Sequence, residues 1–112
     1  MNRVEIVEKI KNLLDEKKAE NVEVFDLKDT DYFVDYVVLS TALVDKHALA
    51  LLDYLKQELK PMGESFFNID DENADWIVAD LGDIIVHIFT ENQRKKFNLE
   101  EFLIKLQNKE LY

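Results

Sequence analysis

Three side chains within eight residues are of the types that catalysis and metal binding use: Asp80, Asp83 and His87. Two carboxylates and an imidazole can hold Mg²⁺ or Zn²⁺, or pass a proton between a base and an acid. A metal-dependent nucleotidyltransferase or hydrolase is therefore the first class to weigh. Position argues against it. Asp80 and Asp83 bracket Leu81-Gly82, and acids at a turn usually bond their own backbone. A single histidine on a strand is more often a hydrogen-bonded structural residue. The other histidine, His47, follows Lys46 at a helix start, where backbone N–H groups can bind an anion. The preceding Ser40-Thr41-Ala42-Leu43-Val44 lacks the glycine that phosphate cradles use. No Walker sequence, Gly-x-Ser-x-Gly elbow or Gly-x-Gly-x-x-Gly occurs. Nothing local places a serine nucleophile beside either histidine, and without cysteine there are no disulfides or thiolate-metal sites. The expectation is a non-enzymatic protein with no metal and no cofactor.

Binding chemistry has better support. Trp76, the sole tryptophan, lies near Phe89, Arg94-Lys95-Lys96 and Phe97, and tryptophan is enriched among the residues that anchor interfaces. The net charge is −10, which argues against wrapping nucleic acid, since that takes a basic stripe. The acid is concentrated. Between Pro61 and Gln93 stand Glu64, Asp70, Asp71, Glu72, Asp75, Asp80, Asp83 and Glu91, with no lysine or arginine. Such a field favours a basic partner surface and speeds its docking.

These residues need a scaffold. The 112 residues, 47% hydrophobic and 34% charged, suit one soluble globular domain over 1–112 with a single core. The first residues lack the apolar run of a signal peptide, and no apolar stretch approaches the ~20 residues of a membrane helix. A cytoplasmic location is expected. Ile6, Ile10, Leu13 and Leu14, widened by Val4 and Val7, predict a helix over residues 2–18. Alternation over 22–27 predicts a half-buried strand, and the apolar run 32–39 a central one. Asp45 is a candidate N-cap for a helix over 46–60 with Leu49, Leu52, Leu55 and Leu59 on one side, ended by Pro61 and Gly63. A short strand over 65–69 completes strand-helix-strand, the pattern of a parallel crossover. After Phe89 the chain turns outward, with room for one helical turn. Asn98 and Glu101 then suggest a capping box for a last helix with Leu99, Phe102, Leu103 and Leu106 buried. The order α-β-β-α-β-β-β-α gives one mixed five-stranded sheet flanked by helices, α/β or α+β in class.

Residues 75–89 are two apolar runs around Asp80-Leu81-Gly82-Asp83, a β-hairpin pattern. Register decides its faces. A two-residue loop of Leu81-Gly82 puts Trp76, Val78 and Asp80 with Asp83, Ile85 and His87, but pushes Leu81 toward positive φ. A turn at Asp80-Leu81 with a Gly82 bulge puts only glycine there, and turn chemistry favours it. Trp76 and Val78 then join Ile84, Val86 and Ile88, away from Ile77, Ala79, Ile85, His87 and Phe89. In both cases the two faces are largely apolar, so something must cover part of one.

The stretch from Ala74 to Phe89, ADWIVADLGDIIVHIF, followed by Arg94, Phe97 and Leu99-Glu100, resembles the ribosomal silencing factors, also called Iojap-like proteins. Asp31 and the Lys46-His47 pair match as well, so the resemblance spans nearly the whole chain. It implies a domain related to the nucleotidyltransferase fold without its catalysis. It also implies binding to the large ribosomal subunit through its ribosomal protein fourteen. Bound there, the factor blocks joining of the small subunit and lowers translation when nutrients are short. The residues this assigns to partner binding are Trp76, Asp80, Asp83, His87, Phe89, Arg94 and Phe97, with Lys46 and His47 as secondary candidates. A homodimer of the free protein is a further expectation. The chain departs from the family pattern at Asp70 (often Gly), Phe97 (often Tyr), Leu103 (often Trp) and Lys46 (often Arg, whose bidentate contact lysine does not reproduce).

Overall fold

A computed structural model describes residues 2–109; Met1 and residues 110–112 lie outside it. The chain runs α1 (Arg3–Glu16), β1 (Glu20–Asp26), β2 (Tyr36–Ala42), α2 (Asp45–Leu59), a 3₁₀ turn (Lys60–Met62), β3 (Asn68–Asp70), β4 (Trp76–Asp80), β5 (Ile84–Thr90), α3 (Glu91–Phe97) and α4 (Leu99–Gln107). The strands form one mixed sheet in the order β1-β2-β5-β4-β3, in agreement with the α+β class expected. Every residue of β2 is buried, as a strand covered on both faces must be.

Helices α1 and α2 share one face of the sheet. Ile6, Val7, Ile10, Leu13 and Leu14 from α1, with Ala48, Leu51, Leu52, Leu55 and Leu59 from α2, pack on Val38, Ile77, Ala79, Ile84, Val86 and Ile88. Those spacings are a 3.6-residue stripe; Leu49 falls outside it and is exposed. On the opposite face Leu103 and Leu106 of α4 pack on Phe25, Val37, Leu39, Ile85 and Phe89. One short helix covers only part of that face, so Trp76 and Val78 of β4 are left half-buried. Phe102 is exposed rather than part of α4's buried stripe, and its ring lies 5.9 Å from Tyr32.

Several boundaries move for identifiable reasons. β2 begins at Tyr36, not residue 32, because the Asp35 and Tyr36 N–H groups both donate to the Asp83 carbonyl at the hairpin tip. Val44, not Asp45, is the N-cap of α2; Asp45 is the first helical residue and its carboxylate accepts from the Lys46 N–H. Asn98 adopts a left-handed conformation between α3 and α4, and its amide donates to Glu101 rather than capping backbone. The crossover from β2 through α2 reaches β3 at the far edge. β2 pairs in parallel with β5 instead, Tyr36 opposite Ile84 through Ala42 opposite Thr90.

The hairpin register corrects the bulge. Trp76 lies opposite Phe89, Val78 opposite His87 and Asp80 opposite Ile85. The Leu81 N–H donates to the Ile84 carbonyl (2.8 Å), leaving Gly82-Asp83 as the two-residue tip. Gly82 takes the positive φ, +97°, so Leu81 is free to bury in the core. The Asp80 carboxylate accepts from the Gly82 N–H at 2.7 Å and holds the turn. Trp76, Val78 and His87 therefore share a face.

A Cβ on Gly82 would meet the Phe67 ring at 2.5 Å. Phe67 is 75% exposed and can swing away, so the lasting cost of Gly82→Ala is left-handed backbone, about 1–2 kcal/mol. A urea titration is expected to show that loss in midpoint. An unchanged midpoint would mean the tip is not built on Gly82 in this conformation.

Candidate functional site

Four rings gather on the incompletely covered face. Trp76 of β4 lies between Phe89 of β5 (ring centroids 5.1 Å apart) and Phe97 of α3 (4.6 Å), and the His87 and Phe89 rings stack 5.6 Å apart at an interplanar angle of 7°. Alternation along the strands places them so: Trp76 is directly opposite Phe89 and diagonal to His87. The indole N–H donates to His87 Nδ1 at 3.0 Å. Nδ1 is thus an acceptor, and the neutral ring carries its proton on Nε2. Burial, at 9% exposure, pushes the imidazole down to about 4. Phe89 is fully buried, whereas Phe97 is 49% exposed. Beside the indole, Trp76 and Val78 join Asp70, Glu72 and Asn73 around a shallow recess of about 310 Å³. The arrangement is an apolar aromatic strip with an acidic border.

Arg94 is elsewhere, and inside. It is 7% exposed. Its Nε donates to Glu100 (2.6 Å), one terminal nitrogen to the Asn21 carbonyl (2.7 Å) and Thr41 Oγ1 (2.8 Å), and the other to Glu23 (3.3 Å). The residue drawing β1, β2 and α4 together is an arginine because its planar fork serves several acceptors at once. The two carboxylates are not equivalent. The hydrogen bond to Glu100, and then burial, pushes Glu23 up to about 6; the same bond, and then that from Arg94, holds Glu100 below the usual range.

The triad Asp80, Asp83 and His87 is not gathered. The Asp83 carboxylate takes a bidentate pair from Arg3 Nε and Nη2 (2.7 and 2.8 Å), and Arg3 Nη1 also holds Glu64. Asp80 is engaged by its own turn and His87 by the indole. Among the described residues no three His, Cys, Asp or Glu side chains come together as a metal site. His47 joins two elements: its Nδ1 accepts from the Leu43 N–H (2.9 Å) and its Nε2 meets the Lys17 carbonyl (2.8 Å). Lys46 beside it is exposed.

Sequence reasoning missed Asn73 as a neighbour of the indole, and Arg3, Glu23, Thr41 and Glu100 as the partners of Asp83 and Arg94. Alternation along β4 already puts Val78 on the face of Trp76, and the structure keeps it there. Nothing local could have found Arg3, eighty positions from Asp83.

Comparison with known proteins agrees with this framework. The family described as "Ribosomal silencing factor during starvation" matches residues 1–111. The ribosomal silencing factor RsfS of Halalkalibacterium halodurans is 29% identical over 102 residues, covering 90% of this chain and 87% of that protein. The Haemophilus influenzae protein of the same name is 33% identical over 97 residues, covering 86% and 95%. A crystal structure of a Chromobacterium violaceum protein superposes with a TM-score of 0.86 over 92% of this chain and 87% of that one; at 20% identity it speaks for the fold alone. Matched by its family over nearly its whole length, the chain belongs to the ribosomal silencing factors.

Proposed function

We propose that this protein binds the large ribosomal subunit through ribosomal protein fourteen, blocks association with the small subunit and so represses translation under nutrient limitation. The observation that carries this reading is the strip of half-buried Trp76 and exposed Phe97, bordered by Asp70 and Glu72. Desolvated aromatic anchors supply affinity, and an acidic border suits a basic ribosomal protein while repelling bare RNA. His87 and Phe89 hold the indole from beneath. Asp80 and Asp83 set the hairpin that carries it, and Lys46 and His47 lie at the start of α2 as a secondary contact. Obstruction needs occupancy rather than a reaction, so the action is non-enzymatic, needs no cofactor and belongs in the cytoplasm. When free, a second copy can cover the same strip as a homodimer.

Co-sedimentation with purified subunits tests the reading. At a Kd of about 1 μM, roughly 10 μM free protein fills most sites, and it is expected to pellet with large subunits and not with small ones. Failure to pellet with large subunits at that concentration would overturn the proposal.

A further inference from the structure

Among the described residues, α3 buries one side chain, and it is Arg94. A seven-residue helix is too short to persist by itself, and this one has no buried apolar residue to dock it. Its other charged side chains are exposed; Lys95, for instance, pairs with Glu91 one turn earlier. What seats α3 is the set of bonds from Arg94 to β1, β2 and α4. Phe97, one turn further on, is thereby set against the indole at 4.6 Å. The family resemblance assigns both Arg94 and Phe97, three positions on, to the partner, but the guanidinium is enclosed and its three nitrogens are engaged within the chain.

We infer that Arg94 is a positioning residue, which builds the Trp76–Phe97 strip by locking α3 to the sheet and makes no contact with the partner itself. The inference rests on the strip being the docking surface proposed above, but one of its tests does not. Trp76 is the only tryptophan, so its emission reports the Phe97 contact in the free protein.

The experiment compares Arg94→Lys, Phe97→Ala and the double variant with wild type in full-length protein. Arg94→Lys keeps the charge and loses the fork. It is expected to shift Trp76 emission to the red, as Phe97→Ala does, and to weaken large-subunit binding about tenfold. The double variant is expected to bind no worse than Phe97→Ala alone, because both changes remove the same contact. Wild-type emission in Arg94→Lys together with weakened binding would overturn the inference, as would losses that multiply in the double variant; either marks a direct contact. If Arg94→Lys does not fold, Thr41→Val removes one acceptor at nearly constant volume. It must then shift the emission in the same direction, and no shift overturns the inference. If wild type does not bind large subunits, the docking proposal fails while the emission shift still decides whether Arg94 seats Phe97.

Discussion

Trp76→Ala is expected to weaken large-subunit binding about 30-fold or more while the protein stays folded. An interface tryptophan at the centre of a desolvated patch typically contributes at least about 2 kcal/mol, which is that factor. The strip gives the loss a specific route: without the indole, Phe97 has no ring to rest on and the recess beside Asp70 and Glu72 loses its apolar wall. The fold survives because the core between the sheet and helices α1 and α2 does not include Trp76. The variant does leave His87 Nδ1 without its donor, so Trp76→Phe is the second arm. It keeps an aromatic face but no N–H, and is expected to cost only about threefold if apolar contact dominates. Co-sedimentation gives both values, with circular dichroism as the check on folding. Binding within twofold of wild type by a folded Trp76→Ala would remove the strip from the interface.

The second large effect is on stability, as a function of pH. His87 titrates near 6.5 in an unfolded chain and is pushed down to about 4 in the folded one by burial. Between those values the unfolded state takes up a proton that the native state refuses, so stability falls as the pH falls through the window. The contribution is fully present above about 6.5. Some 3 kcal/mol of it is gone by pH 4, an order-of-magnitude figure from the width of the window. Protonation also ends the Trp76 bond, because Nδ1 ceases to be an acceptor. His87→Gln retains an acceptor that does not titrate. Urea titrations from pH 7 to pH 4 are expected to show wild type losing stability more steeply than the variant, by that amount. Carboxylate protonation acts on both proteins alike and drops out of the difference. Parallel stability curves for the two would show that the imidazole is not held neutral in the folded protein.

Much of the scaffold was legible because it depends on local periodicity. The stripe of α1 and the apolar length of the central strand report burial directly, and the spacing of tryptophan, aspartates and histidine from 74 to 89 was enough to recognise the family. Elements whose docking depends on distant groups were harder. Phe102 sits at helical spacing with Leu99, Leu103 and Leu106 yet is exposed, because α4 lies on the sheet along Leu103 and Leu106.

The hairpin shows where the division falls. Its existence, its acidic setting and its aromatic content were set by the residues between Asp75 and Phe89. Its register was not, since glycine at either loop position satisfies turn chemistry and a one-residue slip exchanges the faces. The tertiary structure decided it by burying Leu81 and giving Gly82 the positive φ, which brings Trp76 onto the face of His87 and Phe89. The same holds for the charges. As sequence, Arg94-Lys95-Lys96 is a basic run beside aromatic residues that suggests partner contact, and Asp83 is half of a metal pair. Only the folded chain supplies Glu100, Thr41 and Glu23 to the one and Arg3 to the other. An ionic partner is chosen by three-dimensional proximity, which no local pattern encodes.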